Sequence, residues 1–227
     1  MATTRRRRLL WAFDGRVPYL EALARQREAR AALRAGTGAE RLFLLEHPHV
    51  YTLGRNARGA DVLAGGAWLR ARGVEVVDCD RGGQVTYHGP GQLVGYPVLD
   101  LNPDRRDIRR YVRDLQEVLI RTLAAFGVAA ERRPGPENVG IWVGERKIAS
   151  LGVHLSRWIT THGFALNVAT DLTYFRLITP CGLHDRGVTT MEYLLGRAPA
   201  VADVKAALVR RSREVFGSGG AAGSPLA

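Results

Sequence analysis

Lysine is almost missing from this 227-residue sequence: of 33 basic residues only Lys147 and Lys205 are lysine, and the other 31 are arginine. Arginine stays protonated at any ordinary pH, so among the lysines and arginines only these two have an accessible neutral form. Cysteine is equally scarce. Cys79 and Cys181 are too few for a secreted disulfide scaffold and form no CxxC zinc or redox pair, which fits a reducing cytoplasm. No run approaches the ~18 apolar residues of a membrane helix. The start, Arg5 to Arg8 followed by Leu9-Leu10-Trp11-Ala12-Phe13, reaches Asp14 too soon for a secretion signal, and the four arginines read as a solvated start. Six histidines occur without HExxH or His/Cys spacing, so no metal site is expected. There is no GxSxG elbow, no Walker A loop and no dinucleotide fingerprint.

What is present is the composition of a folding chain. Apolar residues make up 46% and charged residues 24%, globular values rather than those of a disordered segment. One domain over residues 1–216 is expected, with the Gly/Ala/Ser-rich stretch 217–227 as a disordered tail. The net charge of +11 favours acidic partners, nucleic acid or protein, without choosing between them.

Apolar spacing places a first helix between Pro18 and Gly36, with Leu20, Leu23, Ala24 and Ala31 on its buried side. A stronger pattern runs from Asp107 to Phe126, with Asp104 as a possible cap and Gly127 past the end. A third helix covers Ala200 to Phe216. Strands are expected at 41–45, 74–78, 93–101, 139–143, 147–155 and 160–168, with a hairpin turn at Gly144-Glu145-Arg146 and a close backbone approach or bulge at Gly152. Consecutive strands indicate an α/β fold with a mixed, largely antiparallel sheet flanked by helices, not a doubly wound one.

Three features can carry chemistry. The run Arg81-Gly82-Gly83-Gln84-Val85-Thr86-Tyr87-His88-Gly89-Pro90-Gly91-Gln92 reads as a loop whose glycines let backbone N–H groups approach a ligand, or as an ordinary glycine-rich connection. Cys181, between Pro180 and Gly182, reads as an exposed nucleophile or as a small buried apolar residue. Cys79, between Asp78 and Asp80, is the poorer nucleophile, because acidic neighbours oppose thiolate formation. Lys147 opens an apolar strand and reads as a proton-transfer group or as a surface lysine.

The glycine-rich run through Gln92 and Tyr96 resembles the signature of the lipoyl(octanoyl) transferases, the octanoyl-[acyl carrier protein]:protein N-octanoyltransferases. Three further segments match in order: Gly144 to Gly152, Thr161 to Val168, and Ile178-Thr179-Pro180-Cys181-Gly182. With Leu45 to Pro48 and Tyr51 to Arg55, the similarity spans residues 41–191. Phe164, where leucine is commoner, is a mild departure that bears on the shape of the acyl pocket.

The resemblance implies the fold of the biotin protein ligase and lipoate ligase catalytic domain, and a cysteine/lysine acyltransferase of lipoate biosynthesis that needs neither ATP nor another cofactor. It makes Cys181 the acyl-thioester nucleophile and Lys147 the group that activates it and moves protons. The substrate-binding segments become Arg81, Gly82, Gly83, Gln84, Val85, Thr86, Tyr87 and His88; Ser150, Leu151 and Gly152; and Gly163, Phe164 and Ala165. The implied partners are octanoyl acyl carrier protein, the lipoyl domains of 2-oxoacid dehydrogenases and the glycine cleavage H protein, with no nucleic acid and no membrane. Two other readings stand beside it: an ATP-dependent lipoate or biotin ligase, which has no need of a cysteine nucleophile, and a nucleic-acid-binding module prompted by the charge.

Overall fold

The computed structural model of the chain describes residues 9–179 and 187–216. Arg5 to Arg8, the 217–227 tail and Cys181 with its Pro180 and Gly182 neighbours lie outside the described residues.

Six strands form the main sheet: β1 (Leu9–Arg16), β2 (Glu40–Glu46), β6 (Gln92–Val98), β9 (Ile159–Asn167), β8 (Arg146–Ser156) and β7 (Gly140–Val143), in that spatial order. β1 and β2 are parallel and every other neighbouring pair is antiparallel. Helices cover both faces. On one, α3 (Ile108–Ala124) and α5 (Val201–Phe216) bury Tyr111, Leu115, Leu119 and Leu208 against Leu42, Leu44, Leu93, Ile148 and Leu166. On the other, α1 (Tyr19–Arg34) sets Ala22 and Ala29 against Phe43, Leu45, Val94 and Ala165. A sheet covered on both sides needs apolar residues at consecutive positions, and all seven residues of β6 are buried. Two short helices, α2 (Gly66–Ala71) and α4 (Met191–Leu195), lie on connections.

A second sheet was not expected. It holds β4 (Glu75–Asp78), β3 (Val50–Leu53) and β5 (Val85–His88), with β3 central, parallel to β4 and antiparallel to β5. β5 lies inside the glycine-rich run read as one loop: Val85 to His88 pair with Leu53 to Val50, and that pairing takes up backbone groups a free loop would have left to solvent. β1 was not expected either: Leu9 onward is the edge strand of the main sheet, paired with β2.

The helices stand where the spacing put them, with two corrections. α1 buries Tyr19, Ala22, Leu23, Gln26 and Ala29, while Leu20 is 59% exposed and Ala24 and Ala31 face solvent. Its stripe is thus rotated from the expected one, because small and polar residues fit where the helix lies close on β9. α3 is capped by Asp107, whose carboxylate accepts from Arg110 N–H at 2.9 Å, and not by Asp104; such a cap contributes about 1 kcal/mol. The β8–β9 hairpin closes at Arg157 and Trp158, which both take positive φ (51° and 66°), the handedness that matches the twist of its strands.

Candidate active site

Where β8 and β9 pair, two successive couples are unusually small: Ser150 faces Ala165 and Gly152 faces Gly163. Together they leave a trough on the sheet. The segment Arg81 to Thr86, entering β5 from the second sheet, forms its roof. Gly82 N–H donates to Val153 O at 3.0 Å, and Arg81 gives its guanidinium to Thr52, reaching the carbonyl at 2.6 Å and Oγ1 at 2.8 Å. Gly54, Arg55 and Asn56 N–H groups donate to Gln84, Arg81 and Gly83 carbonyls. Glycine is required at two places here: Gly83 has φ of +90°, and a Cβ on Gly54 would lie 2.3 Å from Gly83 O. The trough offers about 120 Å³.

At one end of the trough stands Lys147, only 6% exposed, which sets aside the reading of a surface lysine. Its Nζ lies 4.8 Å from the ring centre of fully buried Trp142, and its stem passes Gly140, where a Cβ would meet Lys147 Cε at 2.9 Å. Exposed Pro136, Glu137 and Val139 line the rim on this side, so the trough opens here. The chain after Cys181 is anchored at the same end. Gly187, six positions after Cys181, accepts a bond from Lys147 N–H, and Thr189 N–H donates to Lys147 O. Before it, Thr179 N–H donates to Asp61 O.

The opposite end is closed by a cluster of buried rings: Tyr19, His88, Tyr96 and His162 line it, with His47 behind. Hydrogen bonds set their tautomers. Val17 O can only accept, so His47 Nδ1 carries the proton (2.6 Å) and its Nε2 accepts from the Tyr96 hydroxyl (2.7 Å). His162 Nε2 donates to Asp80 Oδ1 at 2.7 Å, and His88 Nδ1 to Gln92 Oε1 at 2.7 Å. Burial holds these imidazoles neutral: His47 is lowered to about 4, and His88 and His162 are also lowered, all mainly by desolvation. Tyr96 is raised for the same reason.

Thirteen of the fourteen residues expected to bind substrate line the trough: Arg81 to Thr86, His88, Ser150 to Gly152 and Gly163 to Ala165. Tyr87 does not. Side chains alternate along a strand, and in β5 the Tyr87 ring turns into the second sheet's own core against Tyr51, Tyr174 and Phe175, its hydroxyl meeting His49 Nδ1 at 2.7 Å. Cys79 does not line the trough; it packs beside Tyr19, with Sγ donating to Leu53 O at 3.3 Å. Residues not singled out as binding join the lining, chiefly Tyr19, Tyr96 and His162. Tyr96 and His162 sat within the matching motifs, but Tyr19 begins a helix more than 60 positions before the roof and carries no local signal. Among the described residues no helix is long and apolar enough to cross a membrane, and no three metal-ligating side chains cluster.

Comparison with known proteins places this architecture. Residues 18–213 match the lipoyl protein ligase A/B catalytic domain. An octanoyltransferase of Solibacter usitatus is 54% identical over 184 residues, covering 81% of this chain and 82% of that protein. One of Rubrobacter xylanophilus is 50% identical over 208 residues, 91% and 92% of the two chains. Among solved structures, a lipoate protein ligase of T. acidophilum superposes with a TM-score of 0.72 at 19% identity, covering 92% of this chain and 85% of that one. A biotin protein ligase from Aquifex aeolicus superposes at 0.51 and 11% identity, covering 92% and 68%. Those structural likenesses speak for the fold, and the sequence matches carry the conclusion that the chain belongs to the lipoyl protein ligase A/B catalytic domain family.

Proposed function

We propose that this chain is an octanoyltransferase of lipoate biosynthesis, moving an octanoyl group from its acyl carrier protein thioester to a lysine amine of a lipoyl-accepting domain by way of a thioester on Cys181. The observation that carries the reading is a buried lysine at the open end of a trough floored by small residues, in a chain whose curated relatives are octanoyltransferases. In the first step the Cys181 sulfur attacks the thioester carbonyl, and the carrier's thiol leaves with a proton. In the second, the acceptor amine attacks the Cys181 thioester, the new amide forms, and the thiol is restored. Lys147 takes the proton from Cys181, supplies it to the leaving thiol, and repeats the service for the amine. A free thiol titrates near 8.5, so a neighbouring base or cation is needed for a useful thiolate fraction at neutral pH. Backbone N–H groups of the roof are candidates for holding the oxyanion, a contribution of about 3–4 kcal/mol per donor. No ATP enters, since a thioester is already activated. The acceptors implied are the lipoyl domains of 2-oxoacid dehydrogenases and the glycine cleavage H protein.

The fold is shared with lipoate protein ligases, so ATP dependence is the decisive contrast. Mixing the protein with octanoyl acyl carrier protein, without acceptor or ATP, should leave a hydroxylamine-labile octanoyl adduct that peptide mapping locates on Cys181. Cys79→Ser should still acquire it and Cys181→Ser should not. An adduct on Cys79, or transfer that requires ATP, overturns the mechanism.

A further inference from the structure

Lys147 does not reach the mouth of the trough by the ordinary run of its strand. β7 and β8 pair Gly140 with Ser150 and Ile141 with Ala149, but then Trp142 with Lys147 and Val143 with Arg146, so Ile148 is an extra residue in β8. In an unbroken ladder Lys147 would face Val143, and Trp142 would face Ile148. The bulge instead makes lysine and tryptophan a cross-strand couple, the kind of re-aiming that bulges beside reactive groups provide. Lys147 Nζ lies 4.8 Å from the centre of the Trp142 ring. Neither partner is loose. Trp142 is fully buried, its indole N–H donates to Asn138 O at 2.9 Å, and its backbone exchanges two hydrogen bonds with Glu131. The lysine stem lies on Gly140, where any side chain would collide with Cε and with Ala149 O.

Burial and the ring act on this lysine in opposite directions. At 6% exposure the ammonium has lost most of its water, which favours the neutral amine. The negative face of an indole attracts a cation, and more strongly where water is excluded. Among the described residues the other charges around the couple are Arg81 in the roof, Glu137 on the rim, and Arg133, 5.0 Å from the same ring centre. Glu145 Oε2 accepts from Arg133 at 2.9 Å, Arg146 lies over Tyr193, and His88 and His162 stand at the far end of the trough. Burial and the arginines oppose the ammonium. Glu137 favours it from an exposed position, where water screens its charge, whereas the ring acts from the buried side. Building on the octanoyl-transfer reading, we propose that Trp142 is the positioning residue of Lys147. Its ring holds the ammonium at the mouth of the trough, so that the proton taken from the Cys181 thiol stays on Nζ until it passes to the departing thiolate of the carrier.

The scarcity of lysine makes the test direct. In protein made with isotope-labelled lysine, NMR follows only Lys147 and Lys205, and Lys205, bonded to Asp14 O, serves as the reference. Fluorinated tryptophan weakens the negative face of the ring and leaves its size nearly unchanged, so the fold is kept. The titration midpoint of Lys147 should fall by about half a pH unit in the fluorinated protein and by about one in Trp142→Leu, while that of Lys205 stays in place. With octanoyl acyl carrier protein at neutral pH, kcat should fall by about three- to tenfold in step with the midpoint, and KM should hold. A Lys147 midpoint that stays put in the fluorinated protein overturns the proposal, whether or not Trp142→Leu folds. An equal fall at Lys205, or an unchanged kcat beside a shifted midpoint, overturns it as well. Failure of the unmodified protein to transfer any octanoyl group would instead remove the reading beneath it, with the titration still deciding what the ring does to the lysine.

Discussion

Acidification should weaken this fold well before its carboxylates titrate, and His47 supplies the calculable part. The ring is fully buried, donates Nδ1–H to Val17 O and accepts the Tyr96 hydroxyl at Nε2, so a second proton would displace that hydroxyl and leave a charge without solvent. Its pKa is lowered from 6.5 to about 4. A group depressed on folding contributes stability that is complete above the unfolded value and is lost as pH falls toward the folded one. The loss therefore begins near pH 6.5 and continues to about 4. At pH 5 it amounts to about 2 kcal/mol, and the whole shift to about 3 kcal/mol, out of a typical stability of about 5–15 kcal/mol. His88 and His162 are depressed too and act in the same direction. The depressed carboxylates Asp80, Asp107 and Asp171 lose their contribution only below their ordinary value of 3.8, outside this window. Urea unfolding at pH 7.5 and pH 5 should show a drop of at least about 2 kcal/mol in the wild type and a drop smaller by about 2 kcal/mol in His47→Gln. Equal slopes in the two proteins, or a flat wild type, would refute the assignment.

Lys147→Arg keeps a cation over Trp142 but removes an accessible neutral state, so transfer should fall by about 10²- to 10⁴-fold if proton transfer is the role; near-normal turnover at neutral pH would show that charge alone suffices. Gly54→Ala drives a methyl group against Gly83 O, which only backbone movement can relieve. Thermal unfolding should register a loss of about 1–3 kcal/mol, and the displaced roof should raise KM for the acyl carrier substrate. An unshifted melting temperature would mean that the roof yields freely.

Much of the candidate site was readable from the chain because the motifs that carry the family resemblance are local. The run Arg81 to His88, the Gly144 to Gly152 segment with its single lysine, and the Thr161 to Val168 segment each keep their candidate residues within a few positions of one another, and thirteen of the fourteen candidate binding residues line one trough. The helices α3 and α5 were legible for a similar reason, since a 3.6-residue apolar repeat records which side is buried. Tertiary structure decided the rest. Val85 to His88 is a strand only because Val50 to Leu53, some 35 positions earlier, pairs with it, and that pairing turns Tyr87 away from the trough while its neighbours face it. Leu9 to Arg16 is a strand only because β2 offers its edge. Tyr19 enters the site because α1 packs across β9 and brings its first residue beside His47 and His88. Helical and strand repeats are properties of neighbours in the chain, whereas strand pairing and the meeting of buried rings depend on residues that only folding brings together.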